Sequence, residues 1–156
     1  MNVARGLLFG GVETDPMTQP SYTNDSAVLY FHPVERIVHH ELLHRPTGTD
    51  FRDLLMAGYE MLRRNRCTKW LSDDRKHTVL SEADEKWARE EWFPLVAKAG
   101  FRYWAVVNPE KAVGQMQMKQ NVKFMQMGGV TAAFFSTVEE AMAWLKTCDR
   151  PAAKVG

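Results

Sequence analysis

KWLSDDRKHTVLSEADEKWAREEWFPLVAKAGF, residues Lys69 to Phe101, decides the architecture of this chain. Lys69–Asp73 is a short extended run flanked by helical patterns, the setting of a central parallel strand. An acidic and basic turn follows, from Asp74 to His77. Ser81 stands three residues before Asp84, a helix-start pattern. Its side chain accepts a bond from an early helix N–H, and the acids suit the positive end of the dipole. Trp87, Ala88, Glu91, Trp92, Leu95 and Val96 mark the helix, which Pro94 should kink or divide. Ala99 and Gly100 end it, and Phe101 starts the next strand. Strand, turn, capped helix, strand is the order of a parallel α/β sheet.

The same grammar extends outward. Ser26–His32 and Arg36–Leu43 read as the first two strands, joined around Pro33 as a hairpin. A helix follows from about Asp50 to Asn65, with Thr49 as its N-cap. Phe51, Leu54, Leu55, Gly58, Tyr59 and Leu62 form one apolar stripe along it. Phe101–Val107 is a buried strand, Asn108-Pro109 opens a third major helix, and Thr131–Phe135 is the last strand. Thr137 and Glu140 make a second capping box, ahead of a helical face of Val138, Ala141, Met142 and Leu145. The expectation is a single α/β domain with a mixed, mostly parallel sheet. About five strands and about four helices follow the order β-β-α-β-α-β-α-β-α. Residues 1–25, with Gly10-Gly11, Pro16 and Pro20, read as an N-terminal arm, 26–148 as the domain, and 149–156 as a C-terminal tail.

Composition excludes several function classes. The 156 residues are enough for one ordinary core and short for two. Twenty Lys+Arg against 19 Asp+Glu leave a net charge of +1, which supplies no field to gather nucleic acid or an anionic membrane. Arg63, Arg64 and Arg66 close a helix, where positive charge is favoured anyway. No run approaches the ~20 apolar residues of a membrane span. Cys67 and Cys148 form no CxxC pair, and the short apolar run Leu7–Val12 soon meets Glu13 and Asp15. Reduced thiols and a cytoplasmic location are expected.

Several motifs invite chemistry. His40-Glu41-Leu42-Leu43-His44 matches HExxH, which on a helix would hold zinc. Here it lies in a strand pattern just before Pro46, and a strand would separate the two His by roughly 13 Å. No metal site is expected. Asp73, Asp74 and Arg75, with Trp87, form the candidate ligand or specificity site, because loops beyond strand C-termini are where parallel α/β folds bind ligands. Ion pairing among these residues is the plainer role, and catalysis would require Asp73, Asp74 and His77 to converge. No catalytic residue is assigned. Ser81 caps a helix and is also a candidate phosphorylation site. There is no P-loop, Gly128-Gly129 is a turn, and the tryptophans read as core or groove residues. No cofactor is expected.

The helix after Pro109 carries two apolar faces. Val113, Met116, Phe124 and Met127 share one, and Met118, Val122 and Met125 lie nearly opposite. A helix on a sheet needs only one such stripe. Met118, Val122 and Met125 are therefore expected to form an outer face that binds a partner, methionine being adaptable at such surfaces. The N-terminal arm or an apolar ligand are the other occupants.

Residues 28–147 resemble the SpoIIAA-like branch of the STAS superfamily, also described as STAS/SEC14-like. KWLSDDRK followed by LSEADEKWAREEWFPLVAKAGFRYWAVV carries the resemblance, with AAFFSTVEEAMAWL in the final strand and helix. It implies a compact mixed sheet used in regulatory association or ligand recognition. In anti-sigma-factor antagonist relatives a Ser at a helix start is a phosphorylated switch, and Ser81 is the nearest candidate, although Leu80 precedes it where the switch has Asp. Together these readings point to a noncatalytic regulatory or scaffold domain acting through protein association, as a homodimer or with another protein. The alternative is a carrier or sensor of a small, apolar ligand.

Overall fold

The computed structural model describes residues 19–151. Six strands form one sheet in chain order: β1 (Pro20–Thr23), β2 (Ala27–His32), β3 (Ile37–Leu42), β4 (Lys69–Asp73), β5 (Tyr103–Val107) and β6 (Thr131–Phe135). β1, β2 and β3 are an antiparallel meander, while β3 to β6 run parallel. Helix α1 (Asp50–Arg64) links β3 to β4. Between β4 and β5 come α2 (Glu82–Trp87), a π-helical turn (Ala88–Trp92) and α3 (Phe93–Lys98). Helix α4 (Ala112–Met127) links β5 to β6, and α5 (Val138–Thr147) follows β6.

The α/β class and the mixed sheet agree with the sequence reading. The sheet has six strands rather than about five, because Pro20–Thr23, expected in the arm, pairs with β2. The remainder of that arm, 1–18, and residues 152–156 of the tail lie outside the described residues.

Three parallel crossovers stepping in one direction with the same hand put their helices on one face of the sheet. The main core forms there, around Leu29, Val38, Trp70, Trp104 and Val106. Trp70, wholly buried, meets Trp92 edge-on with ring centroids 5.4 Å apart, and Phe101 at 6.0 Å. Helix α5 covers the other face, setting Ala141 and Leu145 on Ile37, Leu71, Ala105 and Val107. Buried Lys69 reaches under its end, donating to the Leu145 carbonyl at 2.5 Å and to Asp149 Oδ1 at 3.0 Å. A cation at a helix C-terminus is favoured by the dipole. The hydrogen bond from Lys69 is the main reason that the Asp149 carboxyl is held below its usual range.

Local rules explain most boundaries. Ser81 Oγ accepts from the Asp84 N–H at 3.1 Å, and Thr137 Oγ1 from Glu140 N–H at 3.1 Å, so both expected caps form. Thr49 does not cap α1; its hydroxyl donates instead to Asp53 Oδ2 at 2.8 Å. Pro94 has no N–H to return to the preceding turn, and the helix widens into its π turn just before it.

The two faces of α4 are the reverse of the expectation. Met118, Val122 and Met125 are buried in the main core, so they do not form an outer face. Val113, Met116, Phe124 and Met127 are the exposed set. Gly114 supplies the reason. A Cβ there would lie 2.6 Å from the His77 carbonyl oxygen, so only glycine lets α4 sit this close to the loop after β4. Gly114, Met118, Val122 and Met125 share a face, and seating Gly114 inward turns the other three inward with it.

Candidate functional site

Alternation in β3 and β4 sends His40, Trp70, Ser72 and Asp74 to the helix-covered face, with His40 directly beside Ser72 in the register. Asp74 continues β4 by one residue, its N–H reaching the Val107 carbonyl at 3.3 Å. Between these side chains, the π turn and α4 lies a cavity of about 70 Å³. One water needs ~10–15 Å³ on such a measure, so the space holds a few waters or a small chemical group. Trp70, Trp92, Phe101 and Trp104 supply aromatic wall; His40, Ser72, Asp74 and His77 supply polar wall. Glu85, Ala88, Arg89, Asn121 and Phe124, its less buried lining, mark the way in.

Hydrogen bonds fix the state of each polar group. An indole N–H only donates, so Trp70 Nε1, 3.0 Å from His40 Nδ1, requires a lone pair there. The His40 proton therefore sits on Nε2 and is donated to Asp74 Oδ1 at 2.8 Å. Trp104 Nε1 donates to Ser72 Oγ at 2.8 Å. Gln117 Oε1 accepts from the Leu80 N–H at 3.0 Å, which identifies it as the oxygen, and so His77 Nε2, 2.8 Å away, is the donor to it.

Ser72, His40 and Asp74 have the composition of a hydrolytic triad but not its wiring. A triad histidine presents one nitrogen to the carboxylate and the other to the hydroxyl. Here the second nitrogen is taken by Trp70, and Ser72 Oγ is taken by Trp104. Neither a base nor an activated nucleophile results. The arrangement sets hydrogen-bonding groups within aromatic walls.

Of the four residues expected to form the ligand site, only Asp74 reaches this cavity. Asp73 points to the opposite sheet face and pairs with Arg75, whose Nε and Nη2 donate to its two oxygens at 2.8 and 2.7 Å. Burial opposes ionisation of Asp73, but the Arg75 hydrogen bonds and charge outweigh it and hold the carboxyl below its usual range. Trp87 lies outside the cavity lining, with the Arg52 guanidinium 5.4 Å from its ring centroid. Ser81 is exposed at its cap position. His77 joins Asp74 at the cavity, and Asp73 does not.

The HExxH segment is strand through Leu42, with His40 and Glu41 on opposite faces. Both ring nitrogens of His44 meet backbone carbonyls, of Arg45 at 2.9 Å and Asp25 at 2.8 Å. On the reverse face His39 Nδ1 and His32 Nε2 are 3.0 Å apart. Burial first, then neighbouring His32 and His40, lowers His39 to about 3.

His40, Trp70 and Ser72 are the cavity residues that sequence reasoning did not assign. Their signal was the alternation Trp70-x-Ser72-x-Asp74 in a buried strand, where two polar side chains on the apolar face need a reason. No family model, curated protein or solved structure matches this chain. The chemistry of the cavity therefore carries the functional reading.

Proposed function

We propose that this chain is a noncatalytic cytoplasmic binding domain, a carrier or sensor whose cavity takes a small ligand with a polar head and an apolar body. One observation carries the reading: Ser72, Asp74 and His77 line an aromatic-walled cavity, and only one carboxylate oxygen of Asp74 is engaged among the described residues. A few polar groups in an apolar pocket is the composition of ligand sites. The resemblance to SpoIIAA-like STAS domains supports a noncatalytic role. The test is native mass spectrometry for retained small molecules, with indole fluorescence of the same protein titrated with small amphiphiles. Ala88→Phe, which fills the cavity lining, should abolish any such binding while leaving the fold intact. Equal responses from both proteins would sink the reading.

A second reading is self-association through the exposed face of α4. Val113, Met116, Phe124 and Met127 are exposed along it, with Gln120 interrupting the stripe. Sedimentation across protein concentration tests it: a dimer that Met116→Asp dissociates supports it, and a monomer throughout removes it.

A further inference from the structure

We infer that the head group this cavity recognises is a protonated amine, an ammonium on a short apolar body. The inference rests on the binding role proposed above and names its ligand class.

Asp74, His77 and Ser72 are nearly inaccessible, at 3%, 3% and 1% exposure. Asp74 Oδ1 is occupied by His40, and among the described residues Oδ2 has no hydrogen-bond partner. No buried polar side-chain atom there lacks a partner, so Oδ2 must border open space, and Asp74 lines the cavity. His77 Nε2 donates to Gln117, and the neutral ring offers Nδ1 as an acceptor. Ser72 Oγ uses one lone pair on Trp104 and keeps another beside its own O–H, and Asn121 brings an amide NH2 and a carbonyl. Asp74 Oδ2, charged and acceptor-only, is thus the group that selects the head. An ammonium group is three donors and no acceptor.

Charge selects in the same direction. Trp70 keeps His40 from carrying a second proton, so no imidazolium cancels the Asp74 carboxylate. Arg89 also lines the cavity, but its guanidinium faces Glu85 at 3.7 Å. The remaining uncompensated charge is negative. The aromatic walls add to this wherever the ammonium meets a ring face. An anionic head would meet Asp74 in a desolvated space, and a neutral hydroxyl would gain neither term.

Size limits the head. About 70 Å³ is under half of an engineered cavity of about 150 Å³ that holds benzene. The ammonium and a carbon or two fit inside, and a longer body passes Phe124 and Asn121.

Matched butyl probes test this. Butylammonium, butan-1-ol and butanoate are titrated into the native chain at pH 7, following indole N–H resonances and calorimetric heat. Butylammonium should bind about tenfold more tightly than butan-1-ol, with butanoate weaker still. Asp74→Asn should erase that preference while Ser72→Ala only reduces it. If butan-1-ol or butanoate matches or exceeds butylammonium, the ammonium inference is overturned and the cavity reading stands. If none of the three moves the indole resonances, both fall. Selectivity in the native chain decides the matter even where Asp74→Asn does not fold.

Discussion

Trp70 Nε1 donates to His40 Nδ1 across 3.0 Å inside the core, and that bond settles which nitrogen of His40 carries the proton. Nitrogen-detected NMR should find His40 in the Nε2–H form. Trp70→Phe removes the donor and strands a buried acceptor, a loss of about 1–3 kcal/mol beyond the change in packing. A double-mutant cycle of Trp70→Phe, His40→Leu and their combination, followed by chemical denaturation, isolates it, because the lost His40–Asp74 bond is common to both His40 variants. A coupling energy near zero would show that the bond contributes nothing.

Gly114 predicts a substitution that defies helix propensity. Alanine is the better helix former by about 1 kcal/mol, yet its Cβ would meet the His77 carbonyl. Gly114→Ala should therefore destabilise by about 1–3 kcal/mol, and it should shift the His77 ring resonances as α4 moves off the loop. A stabilised variant with unmoved resonances contradicts the close approach.

The orientation of α4 separates two methionines two residues apart. Met118→Asp places a charge in the core and should cost about 3 kcal/mol or more in thermal or denaturant unfolding. Met116→Asp, on the exposed face, should stay within about 0.5 kcal/mol of the parent. The opposite ranking would mean that the helix is rotated half a turn.

His39 gives the fold a dependence on pH with a definite sign. Its native value, about 3, lies below the ~6.5 of an unfolded histidine. The stability it contributes is complete above that unfolded value and falls as acid protonates the unfolded chain, at about 1.4 kcal/mol per pH unit. Its surroundings are His32 and Tyr30 from β2, His40, and the Asp73–Arg75 pair. Asp73, also held low, adds loss in the same direction but only in the carboxylate range. Unfolding free energies between pH 7 and 5 should fall less steeply in His39→Gln than in the parent. Parallel slopes would assign the effect elsewhere.

Local signals account for what sequence resolved well. Lys69–Asp73 and Thr131–Phe135 are strands at the expected residues, and Ser81 and Thr137 cap as their spacing implies. Contacts between distant segments account for what it missed. Both stripes of α4 have helical spacing, and the choice between them was made by Gly114 against a loop almost forty residues earlier. Asp73 and Asp74 look like a pair in sequence, but the pleat parts them to opposite faces of the sheet. The cavity itself depends on the β3–β4 register that sets His40 beside Ser72, and no local pattern specifies a register between strands separated by a helix.

The π turn at Ala88–Trp92 acts as a phase shifter. Relative to a regular helix it holds extra chain in one turn, so residues before it are rotated against residues after it. Ala88, Arg89 and Trp92 all line the cavity from within the turn, and Trp92 also donates to the Leu55 carbonyl at 2.8 Å. Deleting one residue within the turn would restore a regular helix and rotate one half by about 100° against the other. Phe93 and Val96, buried in the main core beyond the turn, would then lose their seats if the cavity lining kept its own. The irregular turn is thus what keeps the cavity wall and the core-facing residues of α3 in step.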